Sequence, residues 1–313
     1  MSDLVTFGET MLRFSPPRGR RIEVADVLDC RIGGAESNVA VAAARLGIDA
    51  SWMSKVPDSV LGRRVVSALR AQDVEPAVVW SEEGRQGLYF IEPAGPPRGT
   101  NVVYDRSHTA VATARPNELD TDLVADAEVF FTTGITPALS ERLFETTEAL
   151  LNHSAFSGFD LNYRGKLWSR AEAKDGYEAL LPSVDLLFAP AEDVRGILEV
   201  AGSPAEMAET LRTRYDCETV VVTCGADGAV ARTATDTIEQ STFEAETFDP
   251  IGTGDAFVGG YLARHLRGAS VAESLRYAAA TAALKRTIDG DLALISEREV
   301  ESVIDEDAST IDR

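Results

Sequence analysis

Phe248-Asp249-Pro250-Ile251-Gly252-Thr253-Gly254-Asp255-Ala256-Phe257-Val258-Gly259-Gly260 reads as an extended segment, a Gly-X-Gly-Asp turn and an apolar, small-residue helix running to about Arg267. A helix start leaves backbone N–H groups unpaired and carries partial positive charge, so it is a ready seat for an anion. The two glycines let a ligand approach the backbone without side chains in the way. Asp255 within that seat has two readings. As a cap it would hold free N–H groups of its own helix. As a base it would accept a proton from a hydroxyl attacking a bound phosphate. The stretch alone leaves both open.

Upstream, short β-rich runs alternate with helical segments, which predicts a mainly parallel sheet with helices on both faces. Leu4–Gly8 is the expected first core strand, with Glu9 at the carboxyl end, where open α/β sheets tend to place ligands. Gly33-Gly34-Ala35-Glu36-Ser37-Asn38 leads into a small-residue helix closed by Gly47, with Asn38 in its first turn; close packing on a sheet is the alternative explanation of those small residues. Ser51–Val56, Val129–Thr132, Phe156–Leu161, Leu186–Ala189 and Thr219–Thr223 are further strand candidates. Helices are expected over Asp58–Ala71, Ser140–Leu151, Arg170–Leu180, Glu192–Leu198 and Ala205–Tyr215. Between Pro76 and Thr113 the rhythm changes. Ala77–Trp80, Gly87–Glu92 and Asn101–Arg106 are strand-like runs separated by turn residues such as Glu83-Gly84 and Pro96-Pro97. Three successive strands suggest a small β appendage serving as a lid or an association surface. The expected organisation is a single domain over 1–313, with lid strands inserted from about 11–31 and 76–113.

Composition narrows the function classes. The 313 residues are 44% hydrophobic without low-complexity tracts, which predicts one large folded core. No apolar run long enough to cross a membrane and no leader-like segment is visible, and the three cysteines form no CxxC, so a reduced, cytoplasmic protein is expected. There are 51 acidic residues against 30 Lys and Arg, giving a formal charge of −21. That sign argues against nucleic-acid or anionic-membrane partners. The acids are dispersed, and Lys55, Lys166, Lys174 and Lys285 are the only lysines. Dispersed acids with so few lysines resemble proteins of salt-accumulating halophiles, whose self-repulsion is screened over about 3 Å at 1 M salt.

No GxxxxGK[ST] occurs and no GxGxxG follows the first strand, which excludes a P-loop and the ordinary dinucleotide fingerprint. His108, His153 and His265 lack ligand-like spacing and are expected to be structural or surface residues. Four constellations fall after predicted strands: Gly33–Asn38, Tyr104-Asp105-Arg106, Asp160-Leu161-Asn162-Tyr163-Arg164, and the opening stretch preceded by Thr223-Cys224-Gly225-Ala226-Asp227-Gly228. Each is weak alone. Gly33-Gly34…Asn38 early and Gly252-Thr253-Gly254-Asp255 late together resemble the ribokinase-like family of sugar and nucleoside kinases, over Leu4 to about Leu294. Gly33–Ala40, Gly134–Leu139, Asp160–Arg164 with Leu167-Trp168-Ser169, and Asp249-Pro250 look most like its 2-keto-3-deoxygluconate kinase branch.

That resemblance implies a ribokinase-like α/β fold with a β-sheet lid, ATP and Mg²⁺ as cofactors, and phosphorylation of a sugar acid's terminal hydroxyl. It makes Asp255 the catalytic base, and the N–H groups from Ile251 through Gly252, Thr253 and Gly254 the anion hole. Gly34, Asn38, Tyr89, Tyr104, Arg106 and Arg164 should touch the substrate, and Thr223, Gly225, Ala226 and Gly228 the ATP. Arginine's planar fork suits the carboxylate of such an acid. Two positions depart from the family pattern. Pro190 and Asp193 stand where an Asn-x-x-Glu is usual, so Asp193 or Glu192 would handle the metal, through water. Glu9 replaces a sugar-binding Asp and has no assigned role. The alternatives are a kinase for fructose, ribose or a nucleoside, and a non-catalytic sugar-acid sensor. The gluconate and galactonate epimers are not distinguished. An unpaired lid edge would favour pairing with a second copy, a homo-oligomer.

Overall fold

In the computed structural model, which describes residues 2–94 and 97–311, thirteen strands divide between two sheets. In chain order they are β1 (Leu4–Phe7), β2 (Met11–Ser15), β3 (Asp29–Gly33), β4 (Ala50–Pro57), β5 (Glu75–Ser81), β6 (Leu88–Glu92), β7 (Asn101–Asp105), β8 (Val129–Thr133), β9 (Ser157–Asp160), β10 (Leu186–Pro190), β11 (Thr219–Thr223), β12 (Ala229–Arg232) and β13 (Thr237–Gln240). The large sheet runs β13-β12-β11-β10-β9-β8-β1-β4-β5. Its strands from β5 to β11 pair in parallel, while β12 and β13 are antiparallel. This is the ribokinase-like α/β architecture the sequence predicts.

Successive residues of the central strands enter opposite cores. Leu4, Phe131, Phe188 and Val221 pack on one face against the helices Ala35–Arg45, Thr253–His265 and Val271–Arg286. Val5, Phe130, Leu187 and Val220 pack on the other with Tyr177, Leu143 and Leu211. A strand buried on both faces reads as a continuous apolar run, which is why Thr219–Thr223 was legible without alternation. On the first face three helices meet through small residues. A Cβ on Gly259 would collide with Ala42, and one on Gly260 with Thr281.

The chain leaves β1 toward β4 and β5, then returns to β8 on the other side of β1. The order therefore reverses between β1 and β8, and ligands of open α/β sheets bind outside the carboxyl ends at such a point. The second sheet, β3-β2-β6-β7, stands over those ends. One expectation is corrected. Ala77–Trp80 belongs to β5, which pairs in parallel with β4 at the edge of the large sheet, and is no part of the appendage. As a half-exposed edge strand it carries the same mixed polarity as the second sheet's strands, so composition could not separate them. The other runs are in the second sheet, joined by two strands from residues 11–33. Pro96, read as part of a turn, lies outside the described residues. Among the described residues no helix is long and apolar enough to cross a membrane.

Candidate active site

A cleft of about 1660 Å³ runs along the carboxyl ends of the large sheet beneath the second sheet. The residues expected from the sequence to touch substrate, nucleotide or phosphoryl group (Gly34, Asn38, Tyr89, Tyr104, Arg106, Arg164, Thr223, Gly225, Ala226, Gly228 and Gly252 to Asp255) line it, while their neighbours Ser37, Asp105, Leu161 and Asp249 do not. Positions as distant in sequence as Gly34, Arg106, Arg164, Thr223 and Asp255 thus share one space, large enough for two ligands side by side.

Asp255 sits in the first turn of the helix Thr253–His265, whose cap is Gly252 in the left-handed region at φ 76°. Its carboxylate takes no hydrogen bond from its own helix; Asn38 Nδ2 donates to Oδ2 at 2.7 Å. The capping reading of Asp255 is therefore excluded. Burial raises its carboxyl to about 6, against the hydrogen bond from Asn38 and the charge of Arg164, which pull it down. Asn38 is held in turn by the Gly34 N–H donating to its Oδ1 at 3.4 Å.

The anion-hole expectation is narrowed. The Ile251 N–H donates to Asp249 Oδ1 at 3.0 Å, and the Thr253 N–H to the Pro250 carbonyl at 3.3 Å. Both are engaged already, and the Thr253 hydroxyl is spent on Pro250 as well. Among the described residues, the N–H groups of Gly252, Gly254 and Asp255 are the ones in this turn without a partner. A Cβ on Gly254 would point into open space, so what a side chain there would obstruct is the cleft itself.

At the end roofed by the second sheet, Tyr104 on β7 is partly exposed, with the Arg106 guanidinium 5.5 Å and the Lys166 ammonium 5.6 Å from its ring centre. Arg106 is not free: its Nη2 donates to Glu9 Oε2 at 2.5 Å, with the Glu9 side chain buried and that of Arg106 partly so. Among the described residues, the buried atoms Glu9 Oε1 and Arg106 Nε have no hydrogen-bond partner. Arg164 is exposed at the cleft rim, with Nη1 on the Tyr163 carbonyl. Tyr89 lines the cleft, but its hydroxyl donates to Asp291 Oδ1 at 2.7 Å. At the other end, Gly225–Asp227 form a single 3-10 turn between the antiparallel β11 and β12. Gly225 and Gly228 take φ of 60° and 91°, which favours glycine at both.

Several acids face the same cleft, and most of them, Glu36 and Asp160 included, had no assigned role. Glu36 is buried and receives hydrogen bonds on Oε1 from the Thr133 N–H, the Thr133 hydroxyl and the Thr136 hydroxyl. Burial pushes it up to about 7 despite those donors. Asp160, at the end of β9, rises to about 8 through burial and then the charges of Asp255 and Asp193. Asp193 is raised by burial although the Tyr163 N–H donates to it. None of Asp160, Asp193 and Asp255 has a Lys or Arg at ion-pair distance among the described residues. Glu192 is exposed at the rim. No cluster of three ligating side chains forms a metal cage among the described residues. Mg²⁺ does not need one, since it keeps waters and takes one or two carboxylates plus substrate phosphates. The unpaired, mutually repelling Asp160 and Asp193 fit that donor set.

The sequence matches the pfkB family of carbohydrate kinases over residues 1–296. It is 55% identical over 316 residues to a 2-dehydro-3-deoxygalactonokinase of Haloferax volcanii, covering 100% of this chain and 99% of that protein. It is 28% identical to a 2-dehydro-3-deoxygluconokinase of Thermoproteus tenax, over 97% of this chain and 94% of the relative. Its fold superposes on the crystal structure of 2-dehydro-3-deoxygluconokinase from Thermotoga maritima with a TM-score of 0.90 and 32% identity, over 96% and 97% of the two chains.

Proposed function

The chain belongs to the pfkB family of carbohydrate kinases, and from that premise we propose that it transfers the γ-phosphoryl of ATP to the terminal hydroxyl of a 2-keto-3-deoxy sugar acid. The observation that carries the transfer step is the Asp255 carboxylate, oriented by Asn38 beside the free N–H groups of Gly252, Gly254 and Asp255. In this reading Asp255 takes the hydroxyl proton as the oxygen attacks phosphorus. The N–H groups and helix end hold the charge on the phosphoryl oxygens, and the nucleotide lies along Thr223, Gly225, Ala226 and Gly228. Asp160 and Asp193 would hold Mg²⁺ through water, and the ion would offset phosphate charge when bound. Arg106 and Arg164 would receive the substrate carboxylate, with Gly34, Tyr89 and Tyr104 shaping the sugar end. The second sheet would act as a lid that excludes water from the transfer.

The galactonate-derived acid is the favoured substrate, on the strength of the Haloferax relative's name. The gluconate-derived epimer is the second reading, supported by the Thermoproteus and Thermotoga proteins. A coupled ADP-release assay with Mg²⁺ and high KCl, run on both epimers, fructose and ribose, tests this. Turnover on a neutral sugar exceeding that on both acids would defeat it. We also place the protein in a salt-rich cytoplasm, from its composition. We place a homo-oligomer contact on the second sheet, where Val103 of its edge strand β7 is exposed, together with the β2–β3 connection, where Val24 and Val27 are exposed; a monomer by light scattering at high salt would count against that contact.

A further inference from the structure

Behind the glycine turn lies a buried charge cluster that the transfer step above does not use. Arg13, in the middle of β2, is 1% exposed. Its Nη1 donates to Asp291 Oδ2 at 2.6 Å and its Nη2 to Asp249 Oδ2 at 3.4 Å. Asp249 in turn accepts the N–H of Ile251 on Oδ1 and that of Gly290 on Oδ2, both at 3.0 Å. It thereby ties the turn to the segment that follows the helix Val271–Arg286. Asp291 abuts the same turn: a Cβ on Gly252 would collide with the Asp291 carbonyl. Tyr89, the register neighbour of Arg13 across the β2–β6 pair, donates to the other oxygen of Asp291. Lys285 is also fully buried, with its ammonium on the Ile288 carbonyl. Two cations and two carboxylates are thus enclosed, and the contacts between them offset their lost hydration, although Arg13 Nε finds no partner among the described residues.

We infer that Arg13 is a positioning residue for phosphoryl transfer, acting through Asp249 and Asp291 to fix the turn that presents the Gly252, Gly254 and Asp255 N–H groups. This deepens the kinase reading and rests on it. The geometry gives the reason. Asp249 consumes the Ile251 N–H and sets where the following peptide units point, and Arg13 holds Asp249 and Asp291 together from the second sheet. A fork of two donors meeting two carboxylates fixes both in direction as well as distance. Donors aimed at a transferring group lose most of their effect when displaced by about 1 Å.

The test compares full-length Arg13→Gln, Arg13→Lys, Asp291→Asn and the Arg13→Gln/Asp291→Asn pair with the wild type. It reads kcat, KM for ATP and acceptor, and thermal midpoint. Arg13→Gln is expected to lower kcat by about 10- to 100-fold, with each KM within about threefold. Arg13→Lys keeps the charge without the fork and is expected to recover part of that loss. The double variant should fall no further than the worse single one, since the residues act as one unit. If Arg13→Gln does not fold, Arg13→Lys decides: an intermediate kcat supports the proposal and a wild-type kcat overturns it. A folded Arg13→Gln with kcat within about twofold of wild type overturns it, as does a loss confined to the acceptor KM. An active wild type with unaffected variants sinks the positioning role alone. A wild type inactive on both sugar acids sinks the substrate reading instead, and the comparison then runs on whichever sugar is turned over.

Discussion

At Asp255 the same burial that makes a useful base also works against the fold. Its carboxyl sits near 6, so the basic form dominates at neutral pH while remaining strong enough to accept a proton. The rate should fall on the acid side along one ionisation near that value. Asp255→Asn should remove the dependence and cut kcat by about 10²–10⁴-fold without loss of folding; a variant retaining near-normal turnover would exclude the base role. Asp160 carries a pH signature of its own. Its folded value of about 8 lies above that of an unfolded Asp, so the fold binds the extra proton. Asp160's contribution to stability is then fully present below its ordinary carboxylate value and is lost as pH rises from there to about 8. Asp160→Asn should flatten that decline and raise the thermal midpoint above pH 7, while Mg²⁺-dependent turnover drops; an unchanged pH–stability curve would show that Asp160 is not the group responsible. At the sugar end, Arg106 is paired with a buried Glu9. Arg106→Ala removes a cation and also leaves that carboxylate alone beside an anionic substrate. Its acceptor KM should rise by more than about tenfold and exceed the effect at the exposed Arg164, with the ATP KM unchanged. Equal effects at the two arginines would mean that Glu9 is irrelevant.

Helices on the catalytic face are built for close approach. Gly259 and Gly260 lie one turn beyond Asp255, and both touch neighbouring helices where a Cβ would not fit. The small-residue pattern therefore serves packing, and the Gly-X-Gly-Asp turn ahead of it serves the cleft. Within one stretch the glycines thus divide by role, Gly252 and Gly254 lining the cleft and Gly259 and Gly260 meeting neighbouring helices. Gly260→Val should cost about 1–3 kcal/mol through overpacking against Thr281, read as a lower midpoint in chemical denaturation. A wild-type midpoint would mean that the helices can separate freely. Some of the acid excess is local chemistry as well. Ser169–Glu172, Ser203–Glu206 and Ser270–Glu273 are reciprocal capping pairs at helix starts.

Over the whole molecule, a formal charge of −21 is spread along 313 residues. Such self-repulsion destabilises the compact state until salt screens it, over about 8 Å at 0.15 M and about 3 Å at 1 M. The thermal midpoint should rise steadily with KCl across that range, and dilution into low salt should inactivate the protein. A midpoint independent of salt would mean that charge density does not limit this fold. The second sheet is where sequence legibility failed by one strand. β5 and the β6–β7 pair follow one another with similar polarity, and only pairing partners tell them apart. Pairing is a long-range choice, set by which edge is available once β4 is placed.

The sequence by itself determined the α/β rhythm, the glycine turn with its acid, and the constellations at strand ends, while their grouping into one site was what the family resemblance implied. Those signals are local, because a turn, a helix start or a buried strand is encoded within about ten residues. What Asp255 is bonded to, which N–H groups of its turn are free, and that Arg106 is already paired were decided only by the tertiary structure. So was the Arg13–Asp291 contact, whose partners are 278 positions apart. No local pattern marks either residue of such a pair, since Arg13 in a strand and Asp291 in a loop are each unremarkable until burial removes their water. The chain's turns announce a kinase, and the enclosed charges behind one of them show what holds that turn in place.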